Sequence, residues 1–223
     1  MAERHISKRK PPPAPQDDGR FLSKLRTAKV VLLGSSGVGK SSIALRYIKD
    51  EFKSEVPTVG CAYLTQVVCM NSTRLKLELW DTAGQEIYHS VTPLYYRGAC
   101  AALIVYDITR METFMRAQLW LKELRNADHE NKAVIALVGN KTDLAFNRQV
   151  SKEAGQIFAQ KNGLIFMETS AKSGYHVEDI FLCVAQKILS LDMYRNDQQM
   201  MNASTVALQD ISDHPPSKAC CSS

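Results

Sequence analysis

The apolar and polar positions of this chain alternate between two periods. A-K-V-V-L-L-G at 28–34 is a short apolar run ending in glycine, the form of a buried strand. S-S-I-A-L-R-Y-I-K-D at 41–50 follows, with Ile43, then Leu45 or Tyr47, then Ile48 at helical spacing. L-T-Q-V-V-C-M (64–70) and R-L-K-L-E-L-W-D (74–81) are joined by N-S-T, a hairpin signal. The second of them alternates strictly, with Leu75, Leu77 and Leu79 on one face and Lys76, Glu78 and Trp80 on the other.

C-A-A-L-I-V-Y-D-I (100–108) and A-V-I-A-L-V-G-N (133–140) are continuous apolar runs, as expected of strands covered on both faces. An amphipathic helix is predicted over 113–126. Ser151 opens a second helix and Gly163 closes it at the C′ position. L-I-F-M-E (164–168) is a last strand and 177–191 a last helix. Strands alternating with helices predict an α/β fold with a mostly parallel sheet and helices on both faces. Ligands of such folds bind at the carboxyl ends of the strands. From about Asp192 the pattern lapses into Asn, Gln, Ser, Asp and Pro. The expected division is an arm at 1–27, one domain at 28–191 and a tail at 192–223.

Candidate chemistry falls at the strand ends. Gly34-Ser35-Ser36-Gly37-Val38-Gly39-Lys40-Ser41 fits G-x-x-x-x-G-K-[ST]. Such a loop curls so that backbone N–H groups point at phosphate oxygens, and the following helix adds its positive end. Ser36, Gly37, Val38, Gly39, Lys40, Ser41 and Ser42 are therefore phosphate-binding candidates. Lys40 would reach the β- and γ-phosphates, and Ser41 would ligate Mg²⁺. Asp81, closing the strand in L-W-D-T-A-G-Q-E, is placed to hold Mg²⁺ through a water. Gly84 would offer its N–H to a γ-phosphate, and Gln85 would hold the attacking water. At the other end Asn140-Lys141-Thr142-Asp143 follows a strand. A carboxylate at Asp143 would accept the ring N–H and amine of guanine, a donor pair that adenine lacks. Asn140 would brace the loop or meet the base edge, and the stem of Lys141 would cover the ring. Ser170, Ala171 and Lys172 would present a backbone N–H to the guanine carbonyl.

Together G-S-S-G-V-G-K-S, P-T-V-G, W-D-T-A-G-Q-E, N-K-T-D and E-T-S-A-K resemble the Ras superfamily of small GTPases. L-Y-Y-R-G-A (94–99), I-V-Y-D-I-T (104–109) and the adjacent Cys220 and Cys221 are similar to the Rab family within it. The resemblance implies a P-loop NTPase fold with a six-stranded sheet. It implies GTP and GDP as bound nucleotides, slow GTP hydrolysis, and Thr58 as a further ligand of Mg²⁺ and contact of the γ-phosphate. It implies Phe52 beside the base, although Phe52 to Thr58 is one residue shorter than the family's usual spacing. Segments 51–63 and 82–97 would order around GTP, and the set around Tyr63, Trp80, Ile87, Tyr88, Tyr95 and Tyr96 would form an effector surface. An exchange factor, a GAP, an escort protein with its prenyltransferase, and GDI are the other implied partners. The implied role is vesicle and endosomal membrane traffic, with lipid-anchored protein on the cytoplasmic face of endomembranes and a soluble GDP-bound pool. A Ras-type signalling GTPase, a GTP-binding scaffold that does not hydrolyse, and an ATPase or nucleotide kinase are the alternatives.

Charge and cysteine usage refine this. Residues 1–29 hold eight Lys/Arg against three Asp/Glu, whereas the net charge of the whole chain is +5. The excess lies in a basic arm beside P-P-P-A-P, read as a solvated extension, and no nucleic-acid partner is expected. No apolar run approaches the roughly 18 residues of a membrane span, and a cytosolic protein is expected. Cys61, Cys69, Cys100 and Cys183 lack metal spacing and are expected to be small buried hydrophobes. Cys220-Cys221-Ser-Ser reads formally as a C-a-a-X box carrying one farnesyl group. One lipid anchors only marginally, and 192–223 holds two Lys/Arg against four Asp/Glu, so no polybasic patch assists it. The adjacent cysteines resemble the Rab signal for two geranylgeranyl groups, and that resemblance implies one on each of Cys220 and Cys221.

Overall fold

The computed structural model describes residues 25–52, 60–70, 73–82, 95–127 and 133–192. Six strands form one sheet: β1 Arg26–Leu33, β2 Cys61–Met70, β3 Thr73–Thr82, β4 Ala101–Asp107, β5 Val134–Asn140 and β6 Ile165–Glu168. Helix α1 spans Lys40–Lys49, α2 Met111–Ala127, α3 Lys152–Lys161 and α4 residues 177–192, and a 3-10 helix covers Thr142–Asn147. The spatial order is β2-β3-β1-β4-β5-β6. Among the described residues only the β2–β3 pair is antiparallel.

The period of two assigns each side chain to a layer. Val30, Leu32, Leu77, Leu79, Leu103 and Ala136 pack on one face with Ile43 of α1 and Ile180, Phe181 and Val184 of α4. Their neighbours Val31, Leu33, Ala102, Ile104 and Leu137 pack on the other face with Phe114 and Leu121 of α2 and Ala159 of α3. All seven residues of β4 are buried, which is why its sequence shows no alternation. Phe181 is wholly buried and stacks on Tyr47 at 4.0 Å between ring centroids. Its truncation to Ala would cost about 3–5 kcal/mol. Burial pushes the Tyr47 hydroxyl up to about 12, with Glu178 adding to the effect.

The topology also fixes where a site belongs. β1 is flanked by β3 on one side and β4 on the other, so consecutive parallel connections leave it in opposite directions. That reversal opens a crevice at its carboxyl end. The register aligns the other strand ends with it: Leu32 lies beside Asp81, Asp107 beside Asn140, and Gly139 beside Glu168.

One expectation requires correction. None of Cys61, Cys69, Cys100 and Cys183 is fully buried: Cys69 and Cys183 are exposed and the other two are half-buried, all as free thiols. Cys69 belongs to β2, an edge strand whose alternate residues face solvent, and Cys183 lies on the outer face of α4.

Candidate functional site

The loop after β1 is built around two glycines. Gly34 has φ +139, and a Cβ there would lie 2.2 Å from the Val105 carbonyl oxygen. Gly39 has φ +96, and a Cβ there would lie 2.3 Å from Asn140 Nδ2. Any side chain would thus push the loop away from the sheet end. Lys40, the first residue of α1, is buried and donates from Nζ to the carbonyls of Gly34 and Ser35 at 2.9 and 3.0 Å. An ammonium held inside a loop of N–H groups at a helix N-terminus suits a phosphate chain. Ser42 and Val38 are buried, Ser41 and Gly37 half-buried, and Ser36 exposed at the loop tip.

Asp81 stands buried at the end of β3 against β1. The next residue, Thr82, donates its hydroxyl to the Leu32 carbonyl at 2.7 Å and locks the two strand ends together. Ser41 and Asp81 offer a hydroxyl and a carboxylate, the hard oxygen donors that Mg²⁺ selects. Asp81 and burial both push the nearby Cys61 thiol up, burial being the larger effect.

The second cluster joins two loops to the first. Asn140 is buried, and its Nδ2 donates to the Val38 carbonyl at 2.8 Å. Its Oδ1 accepts from the Thr169 hydroxyl at 3.3 Å and the Ala171 N–H at 3.2 Å. Asn140 is therefore a brace among three loops. Lys141 donates from Nζ to the Gly37 carbonyl at 2.7 Å, which lays its stem along the loop. Its backbone is left-handed, φ 74, an uncommon state for lysine. Asp143 is exposed on the 3-10 helix, and its Oδ1 accepts the Ser170 hydroxyl at 2.6 Å. The Ser173 N–H donates to that same hydroxyl oxygen at 3.1 Å, fixing the carboxylate's direction. Ser170 and Ala171 are buried, and Lys172 is exposed. The Asp143 carboxylate thus stands beside the 170–172 loop, where it would accept from the ring N–H and amine of guanine.

Three residues of this arrangement escape a sequence reading. Asp107, buried at the end of β4, accepts from Lys141 Nζ at 3.0 Å and Arg110 Nε at 3.3 Å. It also accepts from the Thr109 hydroxyl and N–H at 2.6 and 2.9 Å. Burial alone would raise its carboxyl, but the Thr109 hydroxyl and N–H and the Lys141 ammonium outweigh it and hold the group below the usual carboxylate range. Arg110 donates as well to the Ser36 carbonyl at 3.2 Å, so the turn after β4 props the phosphate loop from outside. Arg148 forms a bidentate pair with the buried Glu168, the first residue of E-T-S-A-K. A charged residue ending an otherwise apolar strand is the signal that marks Asp107. The two arginines have partners 74 and 20 residues away and leave no local pattern.

Thr58, Gly84 and Gln85 lie outside the described residues, as do Ile87, Tyr88, Cys220 and Cys221. Phe52 is described and is exposed, shortly after α1. Tyr63 is exposed and meets Trp80 edge-on at 5.6 Å, with Lys29 Nζ 4.5 Å from the Trp80 ring centroid. Trp80, Tyr95 and Tyr96 are partly buried against the α2 side of the core. Of the six expected effector residues, Tyr63 is thus the most outward among those described.

The family model described as "Ras family" matches residues 29–190. "Ras-related protein Rab-17" of Homo sapiens is 55% identical over 177 residues, covering 79% of this chain and 82% of that protein. "Ras-related protein Rab-17" of Mus musculus is 50% identical over 196 residues, covering 87% and 90% respectively. A phosphate loop, a strand-end carboxylate and a braced pair of base loops on one doubly wound sheet agree with these matches, and the chain belongs to the Ras family, within which it is a Rab small GTPase.

Proposed function

We propose that this chain binds GTP and GDP, hydrolyses GTP slowly, and acts as a membrane-attached switch that recruits effectors to endosomal or recycling membranes. The observation that supports it best is the direct joining of two loops about 100 residues apart. Asn140 holds the Val38 carbonyl and Lys141 the Gly37 carbonyl, so the loop proposed to bind the base is tied directly to the phosphate loop. The similarity to proteins named Rab-17 supports the assignment to membrane traffic.

In this reading the backbone of 36–42 and Lys40 bind the phosphates, and Asp143 with the 170–172 loop selects guanine. Ser41, Thr58 and, through a water, Asp81 would hold Mg²⁺, which would supply charge neutralisation on the phosphates. Gln85 orients the attacking water, and Gly84 and Thr58 contact the γ-phosphate. Phosphoryl transfer asks a protein mainly for positioning and charge stabilisation, so turnover is slow until a GAP supplies a further cation, worth about 10³–10⁵-fold. Loss of the γ-phosphate releases Thr58 and Gly84, and with them the effector segments 51–63 and 82–97. Cys220 and Cys221 carry two geranylgeranyl groups, because one lipid without basic residues holds a membrane only marginally. Exchange factor, escort protein and GDI act on the same switch.

Single-turnover hydrolysis of GTP, with phosphate release as the readout, tests this. Gln85→Leu is expected to slow the wild-type rate at least about tenfold while GTP binding is kept. Equal rates would remove Gln85 from the mechanism. A wild type that binds GTP and never releases phosphate, with or without a GAP, would make the chain a scaffold.

A further inference from the structure

Helix α1 begins at the phosphate loop with Lys40, and six residues later it carries Arg46 beneath the base loop. Arg46 Nε donates to the Ala171 carbonyl at 2.9 Å, and Nη2 donates to the Lys172 carbonyl at 3.0 Å. Nη1 donates to the Asp50 carbonyl at 2.8 Å and to Asp50 Oδ1 at 2.9 Å. The Arg46 side chain is 17% exposed and that of Asp50 91%. The ion pair with Asp50 is therefore screened and weak. The two bonds to the base loop join a charged, planar fork to backbone carbonyls and are the stronger part.

Peptide planarity turns these two bonds into a direction. In a trans peptide the C=O and the next N–H point opposite ways. Holding the Ala171 carbonyl toward α1 therefore aims the Lys172 N–H away from α1. Holding the Lys172 carbonyl aims the Ser173 N–H, which meets Ser170 Oγ at 3.1 Å and so reaches Asp143. The preceding N–H, of Ala171, is tied to Asn140. Every peptide of the 170–173 turn is thus oriented, and Arg46 orients two of them.

On the nucleotide-binding reading above, we propose that Arg46 is a positioning residue for guanine recognition: by gripping the carbonyls of Ala171 and Lys172 it aims the Lys172 N–H at the O6 oxygen of guanine. It never touches the nucleotide itself. α1 thereby serves both ends of the site, the phosphates through Lys40 and the base through Arg46.

The test measures dissociation of GDP, inosine diphosphate and 6-thioguanosine diphosphate from the full chain with Mg²⁺ present. Inosine diphosphate keeps O6 and loses the 2-amino group. 6-Thioguanosine diphosphate keeps both donors to Asp143 and replaces O6 with sulfur, a weak acceptor. Arg46→Gln is expected to speed release of GDP and inosine diphosphate by about 10-fold or more, and of the thio analogue by less than about threefold. Arg46→Lys, which reaches one carbonyl but lacks the fork, should fall between, and it serves if the glutamine variant does not fold. Equal acceleration of all three nucleotides by either variant would show that Arg46 only ties α1 to the loop, and would overturn the proposal. No acceleration of any would do the same. Failure of the wild type to retain GDP is a separate result that removes the nucleotide-binding reading itself.

Discussion

Replacing Asn140 by Ala is the sharpest test of how the two loop clusters are held together. The substitution removes three hydrogen bonds at once: to the Val38 carbonyl, from the Thr169 hydroxyl and from the Ala171 N–H. Each such bond is worth about 0.5–1.5 kcal/mol net, and a partner left buried costs about 1–3 kcal/mol more. Val38 and Thr169 are wholly buried and Ala171 is 2% exposed, so bulk water reaches none of the three partners. A single water entering the space vacated by the amide would satisfy some of them. A loss of about 3 kcal/mol follows, which for a domain of this size is about 6–12 °C in Tm. Thermal unfolding of wild type and Asn140→Ala should be compared at one fixed GDP concentration, because bound nucleotide itself raises Tm. Hydrogen exchange at the Ala171 amide should lose its protection in the variant. A shift under about 2 °C with unchanged protection at Ala171 would refute the reading of Asn140 as the brace.

Gly39→Ala would force a Cβ to within 2.3 Å of Asn140 Nδ2 on a backbone at φ +96. GDP release is expected to accelerate about 100-fold, roughly the 2–3 kcal/mol of strain and lost bonding involved; release at the wild-type rate would contradict it. Asp107, whose carboxyl is held below its unfolded value, stabilises the fold above the ordinary carboxylate range and loses that contribution as pH falls through its depressed value. Urea unfolding of wild type and Asp107→Asn should therefore differ most above about pH 4 and converge below it. A gap that stays constant down to pH 2 would mean that Lys141 and Thr109 do not act through that charge.

The layers of this fold are legible in the sequence wherever burial is uniform. β4 and β5 read as unbroken apolar runs because helices cover both faces, and β3 alternates because one face meets α1 while Lys76, Glu78 and Trp80 are only half-buried on the other. β2 is harder: it extends back to Cys61, and although alternate residues from Tyr63 to Cys69 face solvent, the outward positions include Tyr63, Val67 and Cys69, so the sequence shows no clear polar alternation. The 3-10 helix at Thr142–Asn147 has no buried residue at all and leaves no pattern. Within the site, the residues proposed to bind the nucleotide are legible because they fall in short contiguous motifs at strand ends, 34–41 and 140–143. Their supports are not. Arg46 reaches loop carbonyls 125 and 126 residues away, and only the folded sheet brings those loops together. The cysteines err in the opposite direction, since Cys69 and Cys183 sit among apolar neighbours in sequence but on outer faces in space.

The central claim is that Asp143 and the 170–172 loop make the site specific for guanine nucleotides, and competition measures it directly. Labelled GDP bound to the purified chain with Mg²⁺ is challenged with unlabelled GTP and, separately, with ATP. The account predicts displacement by stoichiometric GTP and none by ATP at up to about 10⁴-fold excess, with Asp143→Ala erasing most of that difference. Displacement by ATP at concentrations comparable to GTP would contradict it.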